Sequence, residues 1–217
     1  MDQPPRRLVQ VWDLPVRLFH WVLVALLVGS YVTAQLDELE WHMRCGECVL
    51  ALLVFRIFWG LVGSETARFA RFIRGPRAAW RHFFVHPVET EAGHNPAGGW
   101  AVLAMLAVLC AQVGTGLFAD DDISEQGPFA RFVTRPTRKL LTGLHHRNFN
   151  ILLGLIALHI VAIGAYLLLR RENLVWPMLT GRRSLAGPEP ARRGIWVAAC
   201  IFAVAAVLAW WAASFGE

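Results

Sequence analysis

Apolar residues run in five long blocks along the chain, and the polar residues collect between them. At roughly 17–36, 42–63, 98–118, 147–169 and 195–213 the chain stays apolar for about 20 residues, the helical length that crosses a hydrocarbon core about 30 Å thick. The pattern predicts five transmembrane helices and no soluble domain between them. The connection at about 64–97 interleaves arginines with Phe and Trp in SETARFARFIRGPRAAWRHFFVHPVETEAGHNP, the composition of a helix lying in the membrane interface. The connection at about 119–144 holds Gly127, Pro128 and Pro136 and is expected to be partly helical with turns. A Gly- and Pro-containing linker from Arg182 to Arg193 sets the fifth block apart. The organisation expected is a bundle over 1–172, a linker over 173–194 and an additional transmembrane helix over 195–217.

Composition supports the membrane reading: 56% of the 217 residues are hydrophobic and only 17% are charged, with a mean hydropathy of +0.43. Arginines resist translocation and gather on the cytoplasmic side. Arg6, Arg7 and Arg17 precede the first span, Arg68, Arg71, Arg74, Arg77 and Arg81 follow the second, and Arg170, Arg171, Arg182, Arg183, Arg192 and Arg193 separate the last two. These regions share one side if the N-terminus is cytoplasmic, which puts the C-terminus outside. Arg131, Arg135, Arg138 and Lys139 weaken the contrast with the opposite loops. The net charge of +5 then faces anionic membrane lipid, and nothing beyond it supports a nucleic-acid partner.

Of the four cysteines, Cys110 and Cys200 lie inside spans and read as small apolar side chains. Cys45 and Cys48 form C-G-E-C at the start of the second span, as plain thiols or as a disulfide or redox pair. Covalent c-type haem attachment needs a histidine directly after the second cysteine, where Val49 stands.

The histidines carry the chemistry. GLHHRNFNILLGLIALHI, residues 143–160, places three of them in or beside a lipid-compatible run, where each is disfavoured unless something binds it. A helix turns about 100° per residue, so His145 and His159, fourteen apart, return to within about 40° of one face at depths about 21 Å apart. His146, thirteen before His159, points about 140° away. His20 falls near the cytoplasmic end of the first span and His42 at the outer start of the second. Depth therefore pairs His20 with His159 and His42 with His145. Two stacked pairs in a four-helix bundle suit two haems, because each iron takes axial nitrogens on opposite faces of a flat macrocycle. One membrane histidine alone reads more simply as hydrogen-bonded to a neighbouring helix. A histidine-lined path for a transported metal ion is a further alternative, but no Asp or Glu lies deep in the first four spans except Glu47 near a rim.

VWDLPVRLFHW at the first span, EWHMRCGE and VFRIFWGLVGSETARF at the second, GHNPAGGW opening the third and LHHRNFNILLGLIALH at the fourth resemble the bacterial cytochrome b561 family, which overlaps with the cytochrome b subunits of membrane nickel–iron hydrogenases. The resemblance covers about residues 10–170. It implies an all-α integral membrane protein of the bacterial inner membrane: a four-helix transmembrane bundle holding two b-type haems, with the fifth C-terminal helix outside the shared core. The implied activity is electron transfer between the quinone pool and a periplasmic redox partner such as a cytochrome c, as a free carrier or as the quinone-reactive subunit and membrane anchor of an oxidoreductase. The implied ligands are His20, His42, His145 and His159, the set that helical phase also selects. His146 stands where relatives often carry a carboxylate.

No catalytic residue is predicted, but supporting residues are. Arg56, fourteen after His42, returns to the same face about 21 Å deeper, where it reaches either a haem propionate or the headgroups. Arg17, one turn before His20, is a further propionate candidate. His82 and His86, at i and i+4, are two zinc-type ligands without a third and suit the headgroup level better. His94 and Asn95 precede the proline that opens the third span, where they either cap that helix or donate to a quinone carbonyl.

Overall fold

The computed structural model describes residues 6–73, 93, 96–123, 125–186 and 188–216. Strand β1 (Arg7–Gln10) leads into α1 (Leu14–Gln35) and α2 (Leu39–Val62); the short α3 (Phe69–Phe72) follows. Then come α4 (Pro96–Gly116), α5 (Arg135–Leu169), α6 (Val175–Thr180), β2 (Arg182–Leu185) and α7 (Ile195–Ala213). Five of these helices, α1, α2, α4, α5 and α7, are long and apolar enough to cross a membrane. Most of the interfacial helix expected over 64–97, with His82 and His86, lies outside the described residues.

The fourth span begins twelve residues before the expected 147, at Arg135. Its first turns, RPTRKLLTG, are polar, so hydropathy reads them as loop. Proline in the first turn suits a helix start, because its missing N–H would have no intrahelical partner there. The charges of these turns find acids in the preceding loop: Arg138 meets Asp120 at 2.8 Å, and Arg135 and Lys139 meet Asp122 at 3.2 and 3.3 Å. Three of the four cations that blur the charge contrast between loops are thus paired with acids of the same connection. Lys139 and Arg135 hold the Asp122 carboxyl below its usual range.

The chain divides into two compact units. The first comprises Met1–Leu18, Arg56–Ala104 and Ala157–Ala198. Asp13 caps α1, its Oδ1 accepting from the Val16 N–H at 2.9 Å, while Oδ2 accepts from the indole N–H of Trp59 at 3.0 Å. Trp59 is wholly buried. The turn after α2 then gathers the rest: Thr66 donates to the Val11 carbonyl at 2.6 Å, Ser64 accepts from the Arg193 N–H at 3.1 Å, and Glu65 exchanges two hydrogen bonds with the Ala191 backbone. Each such bond adds about 1 kcal/mol, and leaving the buried Asp13 or Thr66 groups unmatched costs more.

β1 pairs antiparallel with β2, Arg7 opposite Leu185 and Gln10 opposite Arg182. Val9, Val11 and Leu185 form a small buried cluster with Trp12 against it. The linker before the fifth span therefore starts as a strand rather than as an open connection. Gly181 makes the corner at φ +83°, a conformation that favours glycine, and its carbonyl accepts from the Val11 and Trp12 N–H groups at 2.8 and 3.1 Å.

The second unit comprises Phe19–Phe55, Met105–Ile156 and Ala199–Glu217. Within it α7 presents buried alanines, Ala205, Ala209 and Ala212, and sets Phe202 edge-on to Phe55 of α2. Phe215, just past the end of α7, packs against Phe129 and Phe132 of the loop before α5.

Candidate cofactor site

Four helices of the second unit surround two histidines. His42, in the first turn of α2, and His145, in the third turn of α5, face each other with ring centroids 6.1 Å apart and planes at 83°. His146 is exposed. Two imidazole nitrogens each about 2 Å from one shared metal ion put their ring centroids about 6 Å apart, so the spacing fits axial ligation from opposite sides.

Hydrogen bonds settle which nitrogen of each ring is available. His42 Nδ1 lies 2.8 Å from the Ser30 carbonyl oxygen of α1, with the Ser30 hydroxyl at 3.1 Å. His145 Nδ1 lies 2.9 Å from the Gln112 carbonyl oxygen of α4. A carbonyl can only accept, so Nδ1 carries the proton on both rings and Nε2 keeps its lone pair. That is the tautomer a metal ligand needs, with the outer N–H fixed by a backbone acceptor. Gly116 allows the close approach of α4: a Cβ there would sit 3.0 Å from His145 Cε1. Tyr31 and Phe149 stack at 5.7 Å and join α1 to α5 in the same unit.

The other candidates are placed as follows. His20 lies in α1 within the second unit and His159 in α5 within the first. Arg56, only 3% exposed, donates to the Ala67 carbonyl at 3.2 Å and lies over the Phe69 ring at 4.8 Å, with the Asp13 carboxylate as the acidic charge acting on it. A side chain so enclosed does not extend to headgroups. Arg17 donates to the Met178 and Leu179 carbonyls at the end of α6. Cys45 and Cys48 are free thiols on α2. His94 and Asn95 lie outside the described residues. Among the described residues no group of three or more His, Cys, Asp or Glu side chains could hold a bare metal ion.

The donor set is therefore two opposed neutral imidazoles without a carboxylate, which suits a metal carried in a large neutral macrocycle. A family model described as prokaryotic cytochrome b561 matches residues 11–181. The chain belongs to the prokaryotic cytochrome b561 family. Members are multi-pass membrane cytochromes of the b type that transfer electrons, so haem b is the implied group. Curated relatives of this cytochrome b561 family member carry the name "Probable Ni/Fe-hydrogenase B-type cytochrome subunit". The Rhizobium leguminosarum bv. viciae protein is 21% identical over 214 residues, 82% of this chain and 90% of that one. The Azotobacter chroococcum mcd 1 protein is 23% identical over 220 residues, 84% and 91% of the two chains. No solved structure matches this cytochrome significantly.

Ser30, Gln112, Thr115, whose hydroxyl lies 3.4 Å from His145 Nδ1, and Asn148, which bonds to Gln112, were not among the residues that the sequence singled out. Their signal was faint but present: each is a neutral polar residue inside an apolar span, and Asn148 follows His145 by one helical turn.

Proposed function

We propose that this chain is a di-haem b-type cytochrome that moves electrons between membrane quinone and a redox protein on the outer side. The observation that carries the reading is the opposed pair His42 and His145, both with Nδ1–H pinned to a backbone carbonyl. When bound, haem b supplies a one-electron iron couple. His42 and His145 would hold one such group by Nε2, and with protein nitrogens on both sides it would supply electron transfer rather than oxygen chemistry. Helical phase assigns His20 and His159 to a second group. Arg56 is a permanent positive charge at the level of that second pair by the same phase argument, with its guanidinium held by Ala67 and partly offset by Asp13. Arg17 keeps its carbonyl partners and flanks His20 by one turn. His94 and Asn95 remain the candidates for quinone hydrogen bonding beside the start of α4.

Purified protein is expected to contain two haems per chain and to show reduced b-type absorbance bands when a quinol is added without oxygen. Absence of haem sinks the reading; a single haem removes the His20–His159 assignment; haem that a quinol leaves oxidised removes the quinone.

The relatives' names favour a second reading in which the cytochrome serves as the membrane subunit of a larger complex such as a hydrogenase. Co-purification with a stoichiometric redox partner distinguishes it from a free carrier. Either version has the N-terminus in the cytoplasm of a bacterial cell and the inner membrane as the site. A reporter fused after Glu217 is then active outside; activity in the cytoplasm overturns that orientation.

A further inference from the structure

We propose that Gln112, clamped by Asn148, is the positioning residue that selects the ligand tautomer of His145; the inference rests on the His42–His145 reading given under Proposed function. The chain of hydrogen bonds has only one direction. The Asn148 amide nitrogen donates to the Val108 carbonyl at 3.0 Å and to Gln112 Oε1 at 2.7 Å, which uses both of its hydrogens. With Oε1 turned to Asn148, the NH2 of Gln112 faces His145 Nε2 at 3.1 Å. An amide NH2 only donates, so Nε2 must be the nitrogen with the lone pair. The ring hydrogen then sits on Nδ1 and goes to the carbonyl of the same Gln112 at 2.9 Å.

One residue of α4 therefore reads both ring nitrogens, accepting from one with its backbone and donating to the other with its side chain. Reversing any link sets donor against donor or acceptor against acceptor. The amide keeps the Nε2 lone pair defined in the haem-free protein and gives up one neutral hydrogen bond when a metal takes it, a modest cost. The Cβ-free surface of Gly116 holds the ring from the adjacent position on α4, at the close approach already described. Side-chain partners of this kind commonly change metal affinity 10- to 100-fold, roughly the span expected here.

The test uses the full-length chain in detergent, prepared without haem, with ¹⁵N NMR of the His145 ring and titration with free haem. Wild type is expected to show Nδ1 protonated and Nε2 bare; protonation of Nε2 in the wild type overturns the proposal without any variant. Asn148→Asp removes both donors, so Gln112 turns its NH2 to the new carboxylate and its oxygen to Nε2. Gln112→Glu sets an acceptor against Nε2 with Asn148 unchanged. Both are expected to place a hydrogen on Nε2, with Nδ1–H still bound to the Gln112 backbone carbonyl, and to weaken haem binding about 10- to 100-fold at this site. Gln112→Leu leaves the Nδ1–H bond to the backbone and reverses nothing, so it is expected to keep the wild-type tautomer with a loss under about 10-fold. Asn148→Asp and Gln112→Glu proteins with wild-type helicity, tautomer and affinity overturn the inference. His145→Ala separates the levels: if that variant retains all its haem, the underlying ligand reading fails, whereas if it loses haem while the clamp variants bind normally, only the clamp fails.

Discussion

Under the proposed di-haem reading, His145→Ala is expected to lower the haem content from two per chain to one, and His146→Ala is expected to leave it at two. The two residues are adjacent and chemically identical, so only direction distinguishes them. His145 is half-buried, faces His42 at 6.1 Å and has Nδ1 bound to the Gln112 carbonyl. His146 is exposed. Without His145, His42 would be left to hold the group without the opposed imidazole that now faces it. His42→Ala is therefore expected to reproduce the His145→Ala phenotype. Haem extraction with quantification per chain, together with the reduced absorbance spectrum of what remains, reads the result. A His146→Ala protein with one haem and a His145→Ala protein with two overturn the phase argument outright.

Trp59→Ala is expected to destabilise the first unit by about 5 kcal/mol, the other large effect. Truncating a buried tryptophan costs about 3–5 kcal/mol. Here the indole N–H is also the partner of Asp13 Oδ2, and a buried carboxylate oxygen left unmatched adds about 1–3 kcal/mol. Asp13 has its other oxygen on the first turn of α1, so the damage reaches the start of that helix. Native stabilities run at about 5–15 kcal/mol, so the loss is a large share of the whole. Trp59→Phe keeps most of the volume and removes only the donor, with an expected cost of about 1–3 kcal/mol. Chemical unfolding in mixed micelles, followed by helicity, gives both numbers; a Trp59→Ala protein within about 1 kcal/mol of wild type means that Asp13 and the core around it are satisfied by other groups.

The five spans were legible because a hydrocarbon core imposes a length and an apolar composition that few other structures share. The expected limits of the first, second, third and fifth lie within three residues of α1, α2, α4 and α7. The start of α5 was missed because its first turns are polar and their stability comes from Pro136 and from ion pairs with Asp120 and Asp122, none of which hydropathy measures. β1 and β2 were missed for another reason. Each is only four residues long and carries arginine, and their pairing depends on a register between segments far apart in sequence.

At the site, histidines stood out because an imidazole in lipid needs a partner, and helical phase separated His145 from His146. Ser30, Gln112 and Asn148 did not stand out, since a neutral polar side chain inside a span commonly bonds to its own helix or a neighbouring one. Their function follows from directionality across helices: an amide that donates twice leaves its neighbour one orientation, and that neighbour leaves the imidazole one tautomer. The FWGLVGSETARF stretch shows the same limit. As a motif it reads as family likeness, and in the structure it becomes a set of hydrogen bonds, buried to Asp13 and Val11 and more open to Ala191 and Arg193.

The pairing of β1 with β2 also sets an order of events during synthesis. Leu185, the partner of Arg7, is made 178 positions after it. At about 5–20 residues per second the wait is about 9–36 s, long enough for four spans to emerge and enter the membrane. Through that interval the first strand is an open edge, with Val9 lacking its eventual neighbours. Ile195 of α7 comes only ten residues after Leu185, so closure of the strand pair and entry of the last helix fall almost together. A chain arrested before Arg182 thus keeps β1 as an exposed strand edge, and the state of β1 reports whether β2 has been made.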